Sequence, residues 1–231
     1  MTLNRALSHP LGKLVVLILG AAPFCWLVIA ANTAQLGANP AESLIRSTGE
    51  WALRFLCLTL AVTPLRVLAA LTALARYRRM LGLYVYFYAV LHLLGYAWLD
   101  MGLDAGDIGA DIVKRPFILV GFTSFLLLTP LALTSNHRAV RWLGPKRWQL
   151  LHRTVYAVAC LTVLHFFWMR AGKQDFGEVL AYGSFLAALL GWRLWRRWRT
   201  QRIDRVAGAG SGKTNKKGPQ GANEHHAPAS R

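Results

Sequence analysis

The stretch Trp148–Met169, WQLLHRTVYAVACLTVLHFFWM, is almost wholly apolar yet carries two histidines, His152 and His165. At ~1.5 Å rise per residue, ~20 apolar residues cross the ~30 Å hydrocarbon core of a bilayer, so a transmembrane helix is predicted. An imidazole held in hydrocarbon is costly and marks a functional position. A third, His92, lies in another such stretch, LYVYFYAVLHLLGYAWL. On one helix the 13 residues from His152 to His165 correspond to ~20 Å, which puts the two at opposite membrane depths and keeps them from sharing a metal. They also turn by about 220° on an ideal helix, so their rings point different ways. Imidazoles from different helices clamping a flat iron porphyrin fit these positions.

Working outward, the chain of 231 residues is 55% hydrophobic with a formal net charge of +17. Five further apolar runs have helical length: Leu14–Ala31 (with a kink predicted at Pro23), Trp51–Leu68, Met80–Leu99, Phe117–Leu133 and Val179–Trp195. With the opening stretch they predict an all-α integral membrane protein, a bundle of six transmembrane helices in a lipid bilayer. The runs that follow Leu14–Ala31 make it a retained span rather than a cleaved signal peptide. So strong a positive charge raises nucleic acid as a partner, but the basic residues gather in alternate loops and at the C-terminus rather than on one face, which excludes it. The clusters follow span two (Arg66, Arg76, Arg78, Arg79), span four (Arg138, Arg141, Lys146, Arg147) and span six (RLWRRWRTQRIDR). By the positive-inside rule these loops and both termini are cytoplasmic. Spans three and five then run parallel, with His92 and His165 in the outer half and His152 near the cytoplasmic edge. Cys25, Cys57 and Cys160 all lie inside spans and read as packing residues rather than a disulfide framework.

The expected organisation is a cytoplasmic N-terminus (1–13), a membrane domain (14–200) and a basic cytoplasmic tail (201–231). The tail is disordered from Val206 by its Gly, Ala, Lys and Pro content. Within it AGAGSGKT (Ala207–Thr214) imitates a phosphate-cradling loop, with Lys213 and Thr214 in place. That motif works only between a strand and a helix, which the flanking residues do not supply, so no nucleotide site is expected. His225 and His226 read as solvated tail residues.

Arg78, Arg79, Arg147 and Arg153 cluster near His152. Beyond ordinary positive-inside charge, guanidinium forks suit haem propionates or a flavin phosphate. The outer loop DMGLDAGDIGADIVKRP carries Asp100, Asp104, Asp107 and Asp111, either as a solvated loop or as a docking surface for a redox partner. A six-span transporter with structural histidines is the rival class. Its usual pointers are internal repeats, paired broken helices and a charged residue at mid-depth; no repeat is seen, and no acidic residue lies deep in any span.

Four long stretches carry a resemblance: STGEWALRFLCLTLAVTPLR (47–66), YRRMLGLYVYFYAVLH (77–92), GADIVKRPFILVGF (109–122) and RWQLLHRTVYAVACLTVLHFFW (147–168). With them the chain resembles the MsrQ (YedZ) family over most of its membrane domain. The resemblance implies a ferric-reductase-like six-helix domain in the bacterial inner membrane that holds haem b, one or two, with FMN as a further cofactor. Such a chain is a redox subunit rather than a catalyst. It would take electrons from the quinone pool or from a cytoplasmic flavin reductase. It would deliver them to a periplasmic molybdopterin-containing methionine sulfoxide reductase, the catalytic subunit that repairs oxidised proteins. The family's haem-ligand histidines map onto His92, His152 and His165. Wider relatives carry two histidines on each of two helices, whereas here Arg78 and Arg79 stand where the inner histidine of span three would fall. No dinucleotide-binding fingerprint is present, so the electrons come from another molecule.

Overall fold

The computed structural model describes residues 2–172 and 174–211. Among these the chain forms ten α-helices and no strand: α1 (Thr2–Ser8), α2 (Leu11–Asn32), α3 (Pro40–Leu68), α4 (Arg78–Gly95), α5 (Ala105–Lys114), α6 (Pro116–Leu133), α7 (His137–Leu143), α8 (Pro145–His152), α9 (Val155–Ala171) and α10 (Gly177–Ser211). A 3-10 turn, Thr72–Tyr77, leads into α4, and a π turn, Tyr96–Asp100, ends it. Five helical stretches are long and apolar enough to cross a membrane: Leu11–Asn32, Pro40–Leu68, Thr72–Asp100, Pro116–Leu133 and Pro145–Ala171.

The sixth predicted span, Val179–Trp195, is not among these five. It lies in α10, where Glu178 and Arg193 bound an apolar run of 14 residues (179–192). Such a run reaches only ~21 Å at helical rise, against the ~30 Å of a hydrocarbon core. The same helix continues through residues 201–211, where Arg, Gln, Ile and Ala all sustain a helix. Residues 212–231, with Lys213, Thr214, His225 and His226, lie outside the described residues.

Three local departures from the expected spans have physical causes. Helix α3 begins at Pro40, well before the apolar run at Trp51, because Asn39 caps it by accepting the Glu42 N–H and Pro40 suits the first helical position. Glu42, Ile45, Arg46, Gly49 and Glu50 are therefore helical rather than loop residues. The opening stretch is not one helix. It breaks at Arg153–Thr154, where the Thr154 hydroxyl donates to the Leu151 carbonyl (2.8 Å) and the N–H groups of Thr154 and Tyr156 bond three residues back. His152 thus ends α8 while His165 sits inside α9, so the ideal-helix angle between them does not apply. The outer loop, last, contains α5, whose N-cap Asp104 accepts from the N–H groups of Gly106 and Asp107.

Residues 1–190 form one compact unit and residues from 191 a second. In the first, α3 packs along α4 and α6 along α9. The fully buried side chains at its centre include Tyr88, Leu56, Leu60, Val158 and Leu186, drawn from α3, α4, α9 and α10. In lipid, burial of apolar surface does not separate inside from outside, so close packing and interhelical hydrogen bonds hold such a bundle. Tyr88 provides both. Pro23 interrupts the α2 ladder, and the Tyr88 hydroxyl bridges the gap, donating to the Gly20 carbonyl (2.8 Å) and accepting the Phe24 N–H (3.1 Å). These two groups would bond each other in an unbroken helix. Outward, α2 exposes Leu14, Ile18 and Ile29. In the second unit, Arg196 lies over Trp192 and Arg199 over Trp195, the cation–aromatic pairing common at a membrane interface.

Candidate functional site

The end of the first unit formed by the start of α3, the end of α4, the start of α6 and the end of α9 encloses a cavity of about 620 Å³. That volume is in the range of cofactor and ligand sites. Its inner wall is apolar (Leu56, Val85, Leu128, Val158), and its mouth is polar (Asn39, Glu42, Arg46, Asp100, Arg115).

His92 and His165 face each other within it, their ring centroids 6.2 Å apart and their planes at 78°. Each is oriented in the same way. His92 Nδ1 bonds the Ile45 carbonyl of α3 (2.8 Å), and His165 Nδ1 bonds the Phe117 carbonyl of α6 (2.6 Å). Because a carbonyl only accepts, each Nδ1 must carry the proton, which leaves each Nε2 with a free lone pair. That is the tautomer a metal ligand needs, with its orienting bond already made. Two imidazole nitrogens each about 2.0–2.1 Å from one metal ion hold their ring centroids roughly 6 Å apart, close to the observed separation. Among the described residues no three His, Cys, Asp or Glu side chains converge to hold a bare ion. A metal that brings its own equatorial ligands, as in a porphyrin, suits two facing rings.

The remaining residues singled out in the sequence lie elsewhere. His152 does not line this cavity; it stacks on Trp148 (centroids 3.9 Å apart), its Nδ1 bonds the Trp148 carbonyl, and its Nε2 is buried with no partner. Arg78 and Arg79 open α4, some 14 residues or ~21 Å before His92 along the helix. Arg147 belongs to α8, and Arg153 to the break that follows it. None of the four lines the cavity.

What the sequence analysis missed is the polar mouth. Arg46 and Glu50 are hidden there by a helix start taken too late, for which the Asn39–Pro40 pair was the available signal. Glu50 lines the cavity and receives Arg54 (3.0 Å) and Arg170 (3.7 Å). Arg170, expected in a loop, is the last-turn residue of α9 and only 6% exposed; it also pairs with Asp175 (2.9 Å) and Glu178. On the opposite rim Arg115 grips Asp111 through Nε and Nη2 (2.5 and 2.6 Å), and the Tyr96 hydroxyl donates to the same carboxylate (2.6 Å). This clasp ties α5 over the mouth. Arg115 also lies over Phe117, which stacks on His165.

The Arg115 hydrogen bonds, then that from Tyr96, hold the Asp111 carboxyl below its usual range. A depressed carboxylate pKa stabilises the fold above the ordinary carboxylate range and loses that effect as pH falls through the depressed value. The clasp should therefore be intact at neutral pH and open only in acid. Asp111→Asn at neutral pH is expected to speed amide hydrogen exchange across residues 105–114 several-fold and leave α9 unchanged. Equal protection of α5 in the variant would show that the clasp does not hold it.

The sequence profile of the family described as "Ferric reductase like transmembrane component" matches residues 48–163. The "Protein-methionine-sulfoxide reductase heme-binding subunit MsrQ" of Polaromonas naphthalenivorans is 60% identical over 191 residues, which cover 83% of this chain and 87% of that one. The proteins of the same name from Herminiimonas arsenicoxydans and Ralstonia nicotianae are each 51% identical, over 77% and 79% of this chain and 82% and 84% of theirs. No solved structure matches. A match of this identity and length leaves one assignment: the chain belongs to the MsrQ family of integral membrane proteins with a ferric reductase-like transmembrane domain.

Proposed function

We propose that the chain holds a b-type haem between His92 and His165 and serves as the membrane electron carrier of a methionine sulfoxide reductase. The observation that carries this reading is the facing pair of imidazoles, both with Nδ1 tied to a backbone carbonyl and Nε2 free, at a separation suited to one metal between them. The relatives' shared name, a haem-binding subunit, supports it. A bound haem supplies a one-electron couple. This chain's own residues would give it an apolar wall and two neutral imidazole nitrogens, those of His92 and His165. Arg46 and Arg115 at the mouth give cations for its propionates, Arg46 in exchange for Glu42 and Arg115 through the N–H groups it does not give to Asp111. His152 remains a candidate ligand for a second, inner haem on the strength of its unpartnered Nε2, with Arg78, Arg79, Arg147 and Arg153 as candidate propionate or FMN phosphate contacts.

In this reading α10 supplies a sixth crossing, its short apolar run lengthened at the interface by the tryptophans and arginines of residues 192–199, both termini are cytoplasmic, and the protein lies in the bacterial inner membrane. Electrons enter from the quinone pool or a cytoplasmic flavin reductase and leave at the periplasmic mouth. There the molybdopterin-containing catalytic subunit docks. The test is a dithionite-reduced minus oxidised spectrum of purified protein from haem-replete cells, which should show the sharp bands of six-coordinate low-spin b haem. A colourless preparation would remove the redox reading and return the six-span transporter.

A further inference from the structure

Resting on the haem reading above, we infer that Gly49 and Gly121 are positioning residues, each completing one of two matching cradles that fix the plane of an axial histidine. The matching is structural and does not show as a sequence repeat. In each half of the site a helix offers a carbonyl, and a histidine 47 or 48 residues further on donates Nδ1–H to it: Ile45 with His92, Phe117 with His165. In each half a glycine stands four residues after that carbonyl, Gly49 and Gly121. Within an α-helix the carbonyl of residue i already accepts the N–H of residue i+4. The glycine and the histidine thus share one acceptor, which has two lone pairs to offer. The ring can reach the second only by lying against the helix surface at the glycine itself. At Ile45 the Thr48 hydroxyl, which also reaches the Leu44 carbonyl (2.8 Å), approaches the same oxygen at 2.9 Å, a contact without a counterpart at Phe117 among the described hydrogen bonds.

The spacing shows how little room is left. A Cβ on Gly121 would stand 2.7 Å from His165 Nδ1 and 2.8 Å from its Cε1. A Cβ on Gly49 would stand 3.0 Å from His92 Nδ1. Alanine at 121 therefore cannot coexist with the present ring, whereas alanine at 49 requires a shift of a few tenths of an ångström. In both halves the methyl strikes the nitrogen that makes the orienting bond, so the ring must tilt or slide and Nε2 moves with it. Glycine at these positions does more than permit close helix packing. It sets where the ligating nitrogen points and, with its twin, the 78° between the two ring planes.

The inter-plane angle gives a readout that general destabilisation does not move. Near-perpendicular axial imidazoles give low-spin ferric haem a strongly anisotropic paramagnetic resonance signal, and planes closer to parallel give the ordinary rhombic one. Full-length wild type should show the anisotropic signal. Gly121→Ala should retain roughly tenfold less haem, and what it retains should shift toward the rhombic form, as expected for overpacking at a ligand. Gly49→Ala should show the same changes more weakly. Gly82→Ala, on the same helix as His92 but with only Thr59 Cγ2 at 3.8 Å from the added methyl, is the control and should match wild type. A thermal-unfolding cycle needs no haem: Gly121→Ala should lower the midpoint in the wild-type background and have little effect in His165→Ala, where the ring it strikes is gone.

Wild-type haem content and signal in Gly121→Ala would overturn the inference, as would an equal drop in midpoint in both backgrounds. Should Gly121→Ala fail to insert, Gly49→Ala decides by the same criteria. If wild type proves colourless, the haem reading fails by itself, and the unfolding cycle still judges the cradle.

Discussion

His92→Ala or His165→Ala is expected to remove most of the bound haem, a loss of at least roughly tenfold, while the protein still inserts and purifies as a folded species. On the proposed haem reading each substitution takes away one of two ligating nitrogens that no neighbour can replace, since no third His, Cys, Asp or Glu converges on the pair among the described residues. The fold should survive because the carbonyl each ring leaves behind keeps its own helix bond. The loss then amounts to one hydrogen bond, about 1 kcal/mol, and a small cavity. Absorbance at the Soret band per mole of protein, with elution volume in detergent as the folding check, measures both parts. Near-wild-type haem content in both variants would rule out the pairing. His152→Ala should behave differently, because its ring lies outside the cavity and stacks on Trp148. It should leave the His92–His165 signal in place.

Arg170→Ala is expected to cost about 3 kcal/mol of stability. The guanidinium is 7% exposed and gathers Glu50, Asp175 and Glu178 around the end of α9, with Phe166 beneath it at 5.5 Å. Its removal leaves a void and strands Glu50, 16% exposed, with Arg54 as its remaining ion-pair partner. Lysine should not rescue it, because a single ammonium cannot span three carboxylates as a planar fork does. Glu50 lines the same cavity as the histidines, so the loss of stability should come with faster haem release. Thermal unfolding of the two variants beside wild type tests this. A wild-type midpoint for Arg170→Ala would show the cluster to be a solvated rim with no structural role.

The histidines and arginines of this chain were legible in the sequence to different degrees. His92 and His165 stood out because an imidazole inside an apolar run is rare and costly, and because their depths could be counted from the span ends. The same counting set His152 apart from His165, and the structure keeps it out of their cavity. A break at Arg153–Thr154 separates it from His165, and that break arises from a threonine hydroxyl competing for a backbone carbonyl, an interaction that hydropathy does not register. Arg46, Glu50, Arg115 and Arg170 fall outside the predicted spans, since a charge beside an apolar run looks like its boundary. Asp104 and Asp111, read as part of a solvated or docking loop, prove to cap α5 and to clasp Arg115.

Membrane residence and helical class follow from local properties: run length and hydropathy. Each depends on a residue and its immediate neighbours, so the amino-acid order alone determines them. Which helices pair, and hence which carbonyl meets which ring, depends on contacts between residues 47 and 48 positions apart. Only the packed structure decided that His92 and His165 share one cavity and His152 does not. It also decided that two glycines lie where a side chain would strike a histidine ring. The physical reason is that burial and hydrogen bonding across helices are properties of the assembled bundle, and no periodicity within a single helix encodes them.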